Sequence, residues 1–262
     1  MAKSLLFFDI DGTLMSEKTH IISQNTLNAL KKAQENGHLI ILNTGRPYST
    51  ISPQIKSIRY DGIICGCGTY IELNNKVIFH HSIDPKLCHT VIEKLKTYHM
   101  YGLLEGKEAV YFDKDNTFLH IEEIKQNYAK DKIETHHTWQ EDVVCFDKMS
   151  IWEDEKSEAN QFYQFASQYF HFIKRDKNFN ECIPLGFSKA TGIEYILNYL
   201  NVSYHHSYCF GDSMNDLEML NYVQHSIAMA NSPQEVLAAV EFVTKDVDDN
   251  GIEYALKHYH LI

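Results

Sequence analysis

Continuous apolar runs, rather than alternating ones, mark the first and last thirds of the chain. These runs lie at residues 5–8, 39–42 and 62–65, and another short strand-like run covers residues 207–210. Strands that are buried on both faces of a parallel sheet have this pattern. Segments between the runs carry apolar residues at helical spacing, three and four positions apart. The alternation of the two patterns predicts an α/β fold built on a parallel sheet.

Helix and turn signals separate the predicted strands. Ser23 is expected to begin a helix and Gly37 to end it, because these residue types are common at the two helix termini. Asn74-Asn75 lies between two short strand-like segments, which predicts a β-hairpin. Pro47 is expected to begin another helix, whose N-terminus would attract anions.

The middle of the chain has a different pattern, which is typical of an α+β domain. A helix over 85–99 and a second over 158–167 are expected here. The strands predicted in this part cover residues 101–104, 110–112, 148–152, 170–174 and 179–183. We therefore predict a sheet domain formed by residues 1–81 and 186–262, interrupted by an inserted domain over residues 82–185.

Composition agrees with a soluble, cytoplasmic protein of one large or two smaller domains. The 262 residues are 44% hydrophobic, which is enough for a sizeable core. The net charge of −11 argues against nucleic acid as a partner. No apolar stretch approaches the length of a membrane span or of a signal peptide. The six cysteines are scattered in a way that fits a reducing cytoplasm rather than a disulfide framework.

Two aspartate-containing motifs carry the candidate chemistry. Residues 9–14 read Asp-Ile-Asp-Gly-Thr-Leu and residues 211–216 read Gly-Asp-Ser-Met-Asn-Asp, each directly after a predicted strand. Ligands bind at the carboxyl ends of the strands of an open parallel sheet. We therefore expect the carboxylates of Asp9, Asp11, Asp212 and Asp216 to converge there. Like charges so close require a cation, and oxygen ligands favour Mg²⁺ over zinc.

These motifs resemble those of phosphatases of the haloacid dehalogenase superfamily. The first motif matches the family's D-x-D-G-T-L, and the last matches its G-D-x-x-N-D at every position. Thr44-Gly45-Arg46 after the second strand and Lys189 match the two motifs that lie between them. The middle insertion and the tail around residues 227–232 are similar to the Cof-type group, which carries a C2-type cap. The resemblance implies a Rossmann-like core with an inserted α+β cap.

The resemblance also implies roles for individual residues. Asp9 would be the nucleophile and Asp11 the general acid and base. Phosphate would be bound by Thr44, Gly45, Lys189 and Asn215. The metal ligands would be Asp9, Asp11 and Asp212. Asp216 would lie next to these ligands without binding the metal directly, or would orient Lys189. Arg46, Glu105 and Tyr111 are candidate substrate contacts, because they are polar or aromatic residues near strand ends.

Single motifs also have ordinary structural explanations. Asp11-Gly12 alone is a common turn, Asp212-Ser213 can cap a helix, and Lys189 alone would be a solvated lysine. The four motifs in the family's order make a purely structural explanation of the whole set weak. We therefore interpret the chain as an enzyme.

Several functions share this set of residues. The first hypothesis is a Mg²⁺-dependent phosphatase that acts on a small phosphorylated metabolite, such as a sugar phosphate, a nucleotide or a phosphorylated cofactor. A phosphotransferase or phosphomutase would use the same aspartyl-phosphate, and a non-enzymatic sensor would only bind a phosphorylated ligand. A dehalogenase has no need of the acid at Asp11, and an ion pump would need membrane spans. The sequence determines neither the substrate nor the oligomeric state.

Overall fold

The computed structural model describes residues 3–262, which form two compact units. The first unit combines the residues up to Gly45 with Ile58–Phe79 and Ser188–Ile262. The second unit combines Arg46–Ser57 with His80–Phe187. Each unit has its own sheet and its own apolar core.

The described strands, numbered β1 to β13 in chain order, are Leu5–Phe8, Leu39–Asn43, Gly62–Cys65, Tyr70–Leu73, Lys76–His80, Tyr101–Glu105, Val110–Phe112, Lys148–Trp152, Phe170–Asp176, Phe179–Pro184, Ser207–Gly211, His225–Ala228 and Phe242–Val243. The described helices, numbered α1 to α9, are Gln24–Glu35, Pro53–Lys56, Pro85–Thr97, Leu119–Lys130, Ala159–Ala166, Lys189–Leu200, Leu217–Tyr222, Gln234–Leu237 and Gly251–His258.

The first unit contains a mostly parallel sheet, as the continuous apolar runs predicted. Its strand order is β13-β12-β11-β1-β2-β3-β4-β5. β1 lies between β2 and β11 and pairs in parallel with both, so that Phe8 is opposite Leu42 on one side and Phe210 on the other. The carboxyl ends of these three strands therefore lie side by side. The α/β fold class is confirmed.

Local signals in this unit match the observed helix and turn. Ser23 caps α1, because its hydroxyl accepts the backbone N–H of Thr26. Gly37 follows the helix with φ +93°, a conformation that favours glycine. Asn74 and Asn75 have φ values of 50° and 60°, as the turn of a two-residue hairpin requires. These predictions are confirmed.

The second unit contains an antiparallel sheet with the order β7-β6-β8-β10-β9. Helices α3 and α5 pack against an apolar core that includes Leu104, Met149 and Phe162. Helix α4 was not predicted from the sequence. The physical reason is a weak amphipathic pattern, since Ile121 alone in this helix is fully buried and Phe118 before it provides no side-chain cap.

The segment after Pro47 differs from the prediction. Pro47 precedes a single 3₁₀ turn, Tyr48–Thr50, and the short helix α2 begins only at Pro53 with Ser52 as its cap. The anion-binding helix N-terminus expected after Pro47 is therefore wrong. This segment also packs with the second unit, where Ser49 Oγ donates a hydrogen bond to the carbonyl of Gly106 at 2.7 Å.

Among residues 3–262, no helix combines the length and the hydropathy that a bilayer span requires.

Candidate active site

Two neighbouring strand ends in the first unit place Asp9 and Asp212 beside each other in the sheet. Asp9 directly follows β1, and its backbone N–H donates to the carbonyl of Phe210 in β11 at 2.9 Å. Asp212 directly follows β11. Both carboxylates are buried, with residue exposures of 4% and 6%. The parallel pairing of β1 and β11 thus brings together two motifs that are far apart in the sequence.

Lys189, the first residue of α6, connects the two motifs electrostatically. Its Nζ lies 2.6 Å from Oδ1 of Asp9 and 2.6 Å from Oδ1 of Asp216. The Lys189 side chain is fully buried. The start of α6 is well defined, because Ser188 and Thr191 form a reciprocal capping box. Good geometry is what allows the attraction of a buried ammonium to two carboxylates to offset its loss of hydration.

Asp216 is enclosed by its own loop. Its Oδ2 accepts the backbone N–H groups of Asp212 and Ser213, each at 2.9 Å. With Oδ1 bonded to Lys189, both oxygens of Asp216 have protein partners. Asp216 therefore orients Lys189 and the Asp212 backbone.

The turn after the first motif is shaped around Asp212. Thr13 Oγ1 donates to Oδ1 of Asp212 at 2.8 Å. Gly12 has φ +80°, and a Cβ built on it would lie 2.3 Å from Oδ2 of Asp212. Asn231 Nδ2 donates a hydrogen bond to the Gly12 carbonyl at 2.9 Å, which stabilises the turn. Glycine is the residue that fits this position.

Burial and mutual repulsion change the protonation of these groups. Burial raises the pKa of Asp9 well above its ordinary value, against the lowering effect of Lys189. Burial first, and the Asp216 charge second, raise the pKa of Asp212 to about 7. Burial opposes the charge of Lys189, but Asp216 and Asp9 together raise the pKa of Lys189. The single positive charge of Lys189 therefore does not balance the negative charges of Asp9, Asp212 and Asp216.

Three carboxylates form a group with the chemistry of a divalent-cation site. Oxygens of Asp9, Asp212 and Asp216 lie within 4.8 Å of one another. Hard oxygen ligands and excess negative charge suit a hard divalent cation. Asp11 is not one of these three residues, and the convergence of all four carboxylates stays a prediction.

Thr44 directly follows β2, and Asn215 lies in the 3₁₀ turn Met214–Asp216 that follows β11. Thr44 follows β2, is buried, and donates its backbone N–H to the carbonyl of Ile64 at 2.9 Å; Gly45 comes next. The Asn215 side chain is held by Ser213, whose hydroxyl donates to Oδ1 of Asn215 at 2.6 Å. Since β2 and β11 flank β1, these residues come from both neighbours of the strand that carries Asp9.

The three candidate substrate contacts belong to the second unit. Glu105 is buried, accepts a hydrogen bond from Ser150 Oγ at 2.8 Å and pairs with Lys148 Nζ at 3.2 Å. Tyr111 lies in the apolar core of that unit, and burial raises the pKa of its phenol. Arg46 Nη1 donates to the carbonyl of Thr50 at 3.4 Å. Glu105 and Tyr111 thus have structural partners within their own unit.

Sequence reasoning missed three residues that support the site. Thr13 holds Asp212, and Asn231 holds the turn at Gly12. Asn43, fully buried at the end of β2, donates through Nδ2 to the carbonyl of Lys189 at 3.0 Å. The position of Thr13 inside the first motif was the one available signal. Nothing local in the sequence indicates the distant partners of Asn43 and Asn231.

Comparison with known proteins agrees with this geometry. The profile of the "haloacid dehalogenase-like hydrolase" family matches residues 6–256. "Putative phosphatase YkrA" of Bacillus subtilis (strain 168) is 28% identical, and the alignment covers 100% of both chains. "5-amino-6-(5-phospho-D-ribitylamino)uracil phosphatase YitU" of the same organism is 26% identical over 97% of each chain. The structure of BT1666 from Bacteroides thetaiotaomicron, described among phosphatases, is 27% identical with a TM-score of 0.82, covering 99% of this chain and 96% of that one.

Proposed function

The chain belongs to the haloacid dehalogenase-like hydrolase family and is a phosphatase of that family, and from this premise we propose a substrate class and a mechanism. It hydrolyses a small organic phosphomonoester with Mg²⁺ through an aspartyl-phosphate intermediate. The observation that carries this proposal is the buried Lys189, whose Nζ contacts Asp9 and Asp216 at 2.6 Å each.

Asp9 acts as the nucleophile. A carboxylate oxygen of Asp9 forms a bond to phosphorus while the phosphorus–ester oxygen bond breaks. Water then attacks phosphorus, the phosphorus–Asp9 bond breaks, and inorganic phosphate leaves with the carboxylate restored. Its place directly after β1 supports this role, because the adjacent strand ends supply the remaining groups.

Asp11 acts as the general acid and base. Its proton passes to the leaving ester oxygen, and the resulting carboxylate then takes a proton from the attacking water. The half-buried position of the Asp11 side chain supports this role. An acid that must exchange protons in both steps benefits from partial exposure, whereas Asp9 and Asp212 are buried.

Phosphate oxygens are bound by Lys189, by Thr44 with the amide of Gly45, and by Asn215. The Lys189 ammonium stabilises negative charge on the phosphoryl group in transfer, where electrostatic stabilisation provides most of the catalysis. Thr44 and Asn215 come from the strands on either side of β1, which supports contacts from two directions.

Asp9 and Asp212 are the residues that would bind Mg²⁺. Asp216 would lie next to them without binding the ion directly. The raised pKa of both carboxylates supports a cation here, since Lys189 compensates their charges only in part. When bound, Mg²⁺ supplies charge that keeps Asp9 ionised and neutralises the phosphoryl oxygens. Asp216 makes a poorer ligand because both its oxygens have protein partners.

The substrate is proposed to be a small phosphorylated metabolite. YkrA and YitU are named as phosphatases, and the name of YitU specifies a phosphorylated ribitylamino-uracil. The inserted domain, over residues 82–185, is proposed to select among such substrates, because every motif residue lies outside it. Transfer to an acceptor other than water would use the same intermediate.

A phosphate-release assay tests this function. The purified chain is incubated with a panel of sugar phosphates, nucleotides and phosphorylated cofactor precursors, with Mg²⁺ and without an added acceptor. We expect inorganic phosphate from at least one member, loss of activity with EDTA, and recovery with Mg²⁺. Release only after an acceptor is added would indicate a transferase. Activity that EDTA leaves unchanged, or that Zn²⁺ alone restores fully, would contradict the Mg²⁺ site.

A further inference from the structure

A second group of metal-ligating side chains lies in the second unit. We propose that Glu134, His136 and His137 form a binding site for a first-row transition-metal ion such as Zn²⁺. One ligand atom from each of these residues lies within 4.8 Å of the others. Two imidazoles and one carboxylate are a ligand set that suits zinc, nickel or cobalt. The site does not depend on the phosphatase mechanism.

Glu141 holds the ring of His137 in a defined orientation. Nδ1 of His137 lies 3.2 Å from Oε1 of Glu141, which also accepts the backbone N–H of Thr138 at 2.8 Å. With Nδ1–H donating to Glu141, Nε2 carries the lone pair that a metal requires. A carboxylate behind a ligating histidine is the usual support of a zinc site, since it selects the tautomer and the ring orientation.

The backbone around His137 is also held in place. The His137 carbonyl accepts the N–H of Phe112 at 3.0 Å, and Trp139 donates its N–H to the Phe112 carbonyl at 2.9 Å. The rings of Tyr111 and His137 make a T-shaped contact, with centroids 5.7 Å apart. The side chain of His137 is 28% exposed. His137 is therefore held by its neighbours, and part of its side chain remains open to an ion.

The spacing between ligand atoms is suited to a bridging ion. Nε2 of His137 lies 3.7 Å from Oε2 of Glu134, which is too far for a hydrogen bond. Two ligand atoms at roughly 2.1 Å from one zinc ion lie about 3.4 Å apart at tetrahedral geometry. The His136 ring is next to that of His137, with centroids 4.1 Å apart, and provides the third ligand. A fourth position remains for water.

The ligand chemistry of this site separates it from the carboxylate group of the first unit. Asp9, Asp212 and Asp216 offer only hard oxygen atoms, which suit Mg²⁺. Glu134, His136 and His137 offer two imidazole nitrogens, which bind Zn²⁺ far better than Mg²⁺. Excess Mg²⁺ should therefore fill the carboxylate group and leave the second site available for zinc.

Zinc titration of the whole chain tests the proposal. The metal-stripped protein in excess Mg²⁺ is titrated with Zn²⁺ by calorimetry and with Co²⁺ by absorption spectroscopy. We expect one tight equivalent. His137→Ala should weaken it at least tenfold, and Glu141→Ala should weaken it by about 10–100-fold through loss of ring orientation. His120→Ala is the matched control, because His120 pairs with Glu123 in the same unit at 3.3 Å.

Thermal unfolding of each variant establishes that it is folded, and Glu134→Gln and His136→Asn provide milder second tests. Unchanged affinity in His137→Ala, or an equal loss in His120→Ala, would show only adventitious binding by surface histidines and overturn the proposal. The same conclusion would follow from a wild type that takes up no tight equivalent. Because the readout is binding, failure of the phosphatase proposal would leave this test unaffected.

Discussion

Nζ of Lys189 lies 2.6 Å from Oδ1 of Asp9, and the two residues are separated by 180 positions in the chain. Their contact joins the end of β1 to the start of α6. It places a positive charge beside the proposed nucleophile, with Lys189 fully buried and Asp9 nearly so. Lys189 is the charged partner that the described residues provide for Asp9, and it is shared with Asp216.

Asp9→Asn should remove turnover and leave the fold intact. Asparagine has nearly the same shape as aspartate but cannot form the acyl-phosphate. We expect kcat to fall by at least about 10⁴-fold, as for other covalent nucleophiles. Phosphate release and circular dichroism are the measurements, with the exposed Asp115→Asn as control. More than a small residual rate in Asp9→Asn would disprove the nucleophile assignment.

Lys189→Met should destabilise the metal-free protein at neutral pH. The substitution leaves Asp9 and Asp216 buried without a counter-charge, which typically costs about 3–5 kcal/mol. Urea denaturation measures the change. Lys31→Met removes only an exposed pair with Glu35 and should change stability by less than about 1 kcal/mol. Equal losses in the two variants would contradict a special role for the buried pair.

Gly12→Ala should disturb Asp212 as well as the backbone. Gly12 and Gly37 both have positive φ, but only at Gly12 does a Cβ meet Asp212, at 2.3 Å from its Oδ2. Gly37→Ala should therefore cost about 1–2 kcal/mol of stability from the backbone alone. We expect a larger loss for Gly12→Ala, together with weaker Mg²⁺ binding in calorimetry. If Gly12→Ala bound Mg²⁺ like the wild type, the close approach would have no functional consequence.

The unfolding free energy of the metal-free protein should decrease as pH rises, because of Asp212. Its pKa is raised to about 7, mainly by burial, from about 3.9 in the unfolded chain. Between these values the folded state binds the additional proton, so its contribution to the unfolding free energy decreases from about pH 4 to pH 7. Urea denaturation with EDTA should show this slope, and Asp212→Asn should reduce it. Saturating Mg²⁺ should also reduce the slope, because it favours the ionised carboxylate. An identical slope in Asp212→Asn would count against this origin.

Replacing residues 82–185 with a short linker should separate chemistry from recognition. Asp9, Asp11, Thr44, Lys189 and Asp212 all lie outside this segment. Such a protein, once shown to be folded, should slowly hydrolyse p-nitrophenyl phosphate and lose its ranking of natural phosphates, since remote binding energy is gone. The same deletion carrying Asp9→Asn should be inactive. A retained ranking would place specificity in the remaining unit.

The sequence by itself determined the features that depend on chain neighbours. The apolar runs at β1, β2, β3 and β11 predicted a parallel sheet, because residues buried on both faces must all be apolar. Asn74-Asn75 predicted a hairpin, since both residues tolerate positive φ. The position of each motif directly after a predicted strand indicated that Asp9 and Asp212 lie at strand ends. Each of these signals is local.

Tertiary structure decided the features that depend on packing. The helix expected at Pro47 became a 3₁₀ turn that packs with the second unit, and α4 formed with little amphipathic pattern of its own. Helix propensity and hydrophobic periodicity predict structure poorly where contacts with distant residues determine the backbone conformation.

The electrostatics of the site also came from the folded chain alone. Thr13 and Asp212 are 199 positions apart, and their hydrogen bond exists because β1 and β11 are adjacent. The shared Lys189 and the raised pKa of Asp212 depend on burial, which removes the water that would otherwise screen these charges. The sequence therefore determined which chemical groups are present and near which strand ends. Folding decided their distances and their charge states, because both depend on what each group is packed against.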